Sequence, residues 1–108
     1  MFNLFSSSAV AYKSLSGKEF KEEYSKSKQA VLIDVRTPGE FASGSIDKAK
    51  NIDVMSPDFK KRLSTLDKNK EYFIFCRSGG RSSQACSLMS ELGFKVYNLK
   101  GGVGAWPG

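Results

Sequence analysis

The sequence predicts an α/β domain built in three layers, with a central, mostly parallel sheet and helices on both of its faces. Two observations carry that prediction. Short runs of β-branched and apolar residues alternate with helix-like segments along the whole chain, the pattern of strand–helix–strand units. The helix-like segments also open on capping residues rather than fading in from loops. At 108 residues and 40% hydrophobic composition, the chain has the length and the apolar content for one domain around one core.

The elements follow in order. The start, "MFNLFSSSAVAY", is mildly apolar but has no basic n-region and no clean cleavage site, so residues 1–10 are expected to be a flexible leader or a short interaction segment and not a secretory signal. Ser16 with Glu19 three residues on is a capping box, and Phe20 and Tyr24 then share a helix face. "AVLIDV" reads as a buried parallel strand. "TPGE" starts a short helix, with Thr37 as cap, Pro38 at the first position and Glu40 closing a second box, and that helix should end near Gly44. "AKNIDV" predicts a short strand. "SPDF" looks like a repeat of the cap–proline device, with Phe59, Leu63 and Leu66 on one helix face. "EYFIFC" is the strongest strand. A helix over Ser82 to Leu92 is expected to bury Ala85, Leu88, Met89 and Leu92 and to stop at Gly93. "KVYNL" is a further strand, and "GGVGAW" is a glycine-rich turn in which Trp106 belongs to the core or to a lid edge.

Charge and cysteine content narrow the function. The formal charge is +6, but thirteen of the seventeen basic residues are lysines spread over the chain. Clustered cations with interleaved aromatics, as a nucleic-acid surface would need, are missing, and no run is apolar enough to cross a membrane. The field still favours small anions. Two cysteines, Cys76 and Cys86, and no histidine leave no disulfide framework and no metal site, and no cofactor is implied. Without imidazole, a nucleophile here must be active through its own low pKa. A cytoplasmic, monomeric protein is the expectation.

That nucleophile is expected in "FCRSGGRSS". In parallel sheets ligands gather beyond the carboxyl ends of the strands. Cys76 ends one strand, and Asp34 and Arg36 end another. A helix begins just after Cys76, so its free N–H groups and dipole face the thiol. Gly79 and Gly80 let the backbone fold tightly, so that successive amides converge into an anion nest, and Arg77 and Arg81 add fixed charge. Ser82 and Ser83 are expected to cap the helix. Asp34 is expected to tie down loop amides, Arg36 to pair with Glu40 across a helical turn, and Cys86 to pack in the core or serve as a resolving thiol.

At this point the sequence resembles the rhodanese family. "CRSGGRS" fits its C-x-x-G-x-R-S/T active-site pattern. "LIDVRTPGEFASGSI" is similar to its D-V-R…E-F…G-H-I segment, "AKNID" to its A-x-N-I element, and "NLKGGVGAW" to its closing G-G…A-W. These elements span residues 31–106 in order. The resemblance implies a single rhodanese domain over 11–108 and sulfurtransferase activity. Cys76 would take the outer sulfur of a donor such as thiosulfate as a persulfide and pass it to cyanide, a thiol or a protein acceptor. Arg77, Ser78, Gly79, Gly80, Arg81 and Ser82 would form the cradle, with Arg77 as the anion contact, and Asp34, Arg36 and Glu40 would support it. Gly44-Ser45-Ile46 departs from the family's G-H-I.

Two other classes compete. Cysteine-dependent phosphatases and arsenate reductases also use a cysteine in a loop of amides, but phosphatase loops follow C-x5-R. Here Arg81 leaves only four residues after Cys76, and no aspartate lies in or just after the loop to act as general acid. A non-catalytic rhodanese-like binding module is the third class, and the intact Cys76 argues against it.

Overall fold

A computed structural model describes residues 12–108, so the expected leader at residues 1–10 lies outside the described residues. Five strands form one sheet in the order β1-β5-β4-β2-β3, and every neighbouring pair is parallel. The strands are β1 (Lys13–Leu15), β2 (Ala30–Asp34), β3 (Lys50–Asn51), β4 (Glu71–Phe75) and β5 (Lys95–Leu99). The helices are α1 (Gly17–Lys26), α2 (Pro38–Ala42), α3 (Phe59–Leu63) and α4 (Gly80–Glu91), and a 3-10 turn follows at Val103–Ala105.

The central strands β2 and β4 are apolar on both sides, as burial on both faces requires. Alternation along them divides the core in two. Ile33, Tyr72, Ile74 and Val96 face α3 and α4, where Phe59, Leu63, Ala85, Cys86 and Met89 meet them. Leu32, Phe73, Phe75 and Leu99 face the other way, onto Phe20 of α1. There Phe20 and Tyr24 pack edge-on against both Phe73 and Trp106. Trp106 is therefore a core wall on the α1 side, half-buried, with the Lys21 ammonium over its ring.

Both predicted capping boxes form. Ser16 and Glu19 close the start of α1, and Thr37 and Glu40 close the start of α2. Other expectations are corrected. β1 is not among the strands expected from sequence: it carries no apolar alternation and exists because its backbone pairs with β5. Ser56-Pro57 does not cap α3. Ser56 donates instead to the Asp58 side chain in a turn, and the helix starts at Phe59, two residues later than that device would place it. Leu92 is 41% exposed, so the buried stripe of α4 is Ser82, Ala85, Cys86 and Met89.

Candidate active site

Two strand-to-helix turns lie side by side at the carboxyl end of the sheet. Asp34 ends β2 and is in register with Phe75 of β4, and Val35 N–H donates to Phe75 C=O at 3.0 Å. Cys76 follows Phe75 directly.

Around the thiol, the chain bends back so that Gly79 N–H donates to Cys76 Sγ at 3.0 Å and Ser82 N–H at 3.4 Å. Gly79 makes this bend possible. It is the N-cap residue of α4 with φ +108°, a region that residues with a side chain rarely adopt, and it gives the helix no side-chain cap. The predicted capping by Ser82 and Ser83 does not occur, because α4 starts at Gly80 and both serines lie inside its first turn. Gly80 is exposed and helical, and a methyl group there meets nothing within 4 Å, so the bend rests on Gly79 alone.

Ser82 is fully buried, with its hydroxyl 3.3 Å from Sγ and 3.1 Å from Gly79 C=O. With the thiol protonated, S–H donates to Ser82 Oγ and the hydroxyl donates to the carbonyl. With the thiolate, the hydroxyl proton can turn to sulfur. Gly79 C=O is not orphaned by that turn, because Ser83 N–H also donates to it at 3.0 Å.

Cys76 is only 1% exposed, and burial is the largest single influence on its thiol, pushing the pKa up. Hydrogen bonds from the Ser82 hydroxyl and from the N–H groups of Ser82, Gly79 and Ser78 together outweigh it, so the thiol lies below its ordinary value. The lowering comes from amides and a hydroxyl more than from guanidinium groups. Arg81 is a bidentate partner of Glu40, at 2.8 and 3.1 Å, and its charge is largely matched there. Glu40 in turn is held down to about 2, first by the Arg81 hydrogen bonds and then by the Thr37 N–H. Arg77 is exposed and forms no ion pair among the described residues. Cys86 is fully buried on α4, and burial pushes its thiol far up, which suits packing and not a resolving role.

The β2 turn is built differently. Arg36 does not pair with Glu40, because it precedes α2 and its side chain folds back. Nε and Nη2 clamp the buried Asp34 carboxylate at 2.7–3.0 Å, and Nη2 also donates to Gly44 C=O at 2.6 Å. Asp34 further accepts from Arg36 N–H at 3.0 Å and from Ser45 Oγ at 2.9 Å. Ser45 thus completes a structural network. Asn51 of β3 joins it by donating to the carbonyls of Asp34 and Arg36 at 3.0 and 2.9 Å.

Two residues that shape the site escaped the sequence reading. Val103 N–H donates to Cys76 C=O at 2.8 Å. Gly102 lies so close beneath the loop that a Cβ there would be 2.0 Å from Arg77 O. The "GGVGAW" segment signals a turn, but nothing in it says that the turn braces the cysteine loop.

Comparison with known proteins agrees with this architecture. The model of the rhodanese-like domain family matches residues 16–107. The chain is 41% identical over 96 residues to a Bacillus subtilis protein named "Putative sulfurtransferase YtwF", covering 89% of this chain and 91% of that protein. It is 40% identical over 77 residues to the protein named "Sulfurtransferase" of Allochromatium vinosum, covering 70% of each. Among solved structures, a rhodanese-like domain protein from Staphylococcus aureus superimposes with a TM-score of 0.76 at 34% identity, covering 87% of this chain and 90% of that one.

Proposed function

The chain belongs to the rhodanese-like domain family, and from that premise we propose that it is a sulfurtransferase that carries sulfane sulfur on Cys76. The observation that carries this reading is the ring of Gly79 N–H, Ser82 N–H and Ser82 hydroxyl within 3.4 Å of Sγ. Such a ring keeps a nucleophilic thiolate available without histidine. The sulfurtransferase names of its relatives support the same reaction class.

With thiosulfate as donor, the Cys76 thiolate attacks the outer sulfur. The S–S bond of thiosulfate breaks, sulfite leaves with the electron pair, and a persulfide remains on Cys76. A thiolate or cyanide then attacks the outer persulfide sulfur, and the Cys76 thiolate departs, stabilised again by the amide ring. The exposed Arg77, next to the nucleophile, meets the anionic donor, whereas Arg81 is occupied by Glu40. Phosphatase chemistry is disfavoured by the spacing, because only four residues separate Cys76 from Arg81 and the Arg81 guanidinium is held by Glu40.

The test is the intact mass of the protein after exposure to thiosulfate. A gain of one sulfur is expected, removable by cyanide and absent in Cys76→Ser. Hydrolysis of aryl phosphates with no sulfur gain would overturn the reading.

A further inference from the structure

A groove of about 420 Å³ runs between β3 and α3, outside the nest of amides. Ile52 and Leu66 give it an apolar lining, and the exposed cations Lys50, Lys61 and Arg62 ring it against a single acid, Asp58. β3 is the edge strand of the sheet, and Arg62 Nη2 reaches across the groove to donate to Asn51 C=O at 3.3 Å. This is the clustering that the scattered lysines of the sequence do not reveal. Residues from two separate segments, 50–52 and 58–66, supply it.

Its position ties it to the thiol. Asn51, Asp34 and Phe75 stand in one register row across β3, β2 and β4. Two strand spacings, about 10 Å, therefore separate the β3 wall from the residue preceding Cys76. The Ile52–Asp58 end of the groove also lies at the carboxyl end of the sheet, because β3 runs toward that end and α3 starts from it. The linking segment includes Met55, 67% exposed.

Resting on the sulfurtransferase reading, we propose that this groove docks an acidic segment of a protein sulfur acceptor, whose cysteine then reaches Cys76. Charge complementarity selects the occupant. Three cations over an apolar lining fit a strand-like stretch of glutamates and aspartates with an apolar residue between them. Small acceptors such as cyanide need no such groove, so it adds selectivity without touching the chemistry.

The test compares two short synthetic peptides, each ending in cysteine, one rich in glutamate and one with glutamine in its place. Binding is read by fluorescence anisotropy on the Cys76→Ser protein, and sulfur transfer from the persulfide is read on the wild type. The acidic peptide is expected to bind more tightly and to accept sulfur faster. The double variant K61E/R62E is expected to lose about tenfold in both, and Lys50→Glu, on the opposite wall, part of that. Added salt should erase the preference. All three positions are exposed, so turnover with cyanide should be unchanged in the variants. Equal binding of the two peptides, or retention of the preference in both variants, overturns the proposal. A single-stranded oligonucleotide bound as tightly, and lost in the same variants, also overturns it and makes the groove a nucleic-acid site. No sulfur gain on Cys76 of the wild type after exposure to thiosulfate defeats the sulfurtransferase reading instead, and the anisotropy still decides whether the groove prefers the acidic peptide.

Discussion

The turns after β2 and β4 occupy neighbouring places and do opposite things with the same parts. After β2, the strong groups are held mainly by side chains. Asp34 and Arg36 neutralise each other, Ser45 and Asn51 fill the remaining sites, and the Thr37–Glu40 box closes the helix. After β4, the helix has no side-chain cap, and its open N–H groups converge on sulfur. A helix start saturated by its own side chains is structure. One left open around a buried nucleophile is a reactive site.

The comparison breaks most visibly at Asp34. Asp34→Ala leaves the Arg36 guanidinium buried without its partner and is expected to cost about 3–5 kcal/mol. Thermal melting should show the loss, while thiol reactivity per folded molecule stays near wild type. A stable but inactive Asp34→Ala would make the β2 turn part of the chemistry.

Ser82→Ala tests the other turn. Removing the hydroxyl takes one donor from the thiolate, so the midpoint of alkylation rate against pH should move upward, and Ser82→Thr should restore it. Folded-state charge on the thiol is favoured at pH above that midpoint, so transfer at neutral pH should fall in Ser82→Ala and recover in alkaline buffer. An unmoved midpoint would leave the lowering to the amides alone.

Thr37→Ala sharpens the contrast at smaller scale. Loss of the cap should cost about 1 kcal/mol in denaturant unfolding, with sulfur transfer intact. The smallest effect is expected from Glu40→Gln. Glu40 is held to about 2 against an ordinary 4.5, so its contribution is full above pH 4.5 and lost as pH falls toward 2. Acid unfolding curves of Glu40→Gln should lack the part of the decline that falls in that window.

What the sequence made legible was local. The Ser16–Glu19 and Thr37–Glu40 boxes are contacts over three residues, and β2 and β4 announce themselves by composition. Cys76 and the bend at Gly79 were readable from a short loop. Contacts between distant segments were not. Arg81 finds Glu40 across 41 positions, and no local pattern could prefer it over Arg36. Gly102 matters because of Arg77, and β1 because of β5. Ser82 looked like a cap because serines favour helix starts, but the left-handed Gly79 had already begun the helix.

The brace under the cysteine loop has a consequence for how the protein is made. Val103 holds the Cys76 carbonyl, and Gly102 admits the Arg77 backbone. Both leave the ribosome well after the cysteine does. The N-terminal strand β1 waits as well, since its partner in the sheet is the last strand, β5. Until the closing turn emerges, neither the brace of the cysteine loop nor the pairing of β1 with β5 can form. The loop that carries the nucleophile is thus completed by residues that contribute no atom to the ring around sulfur.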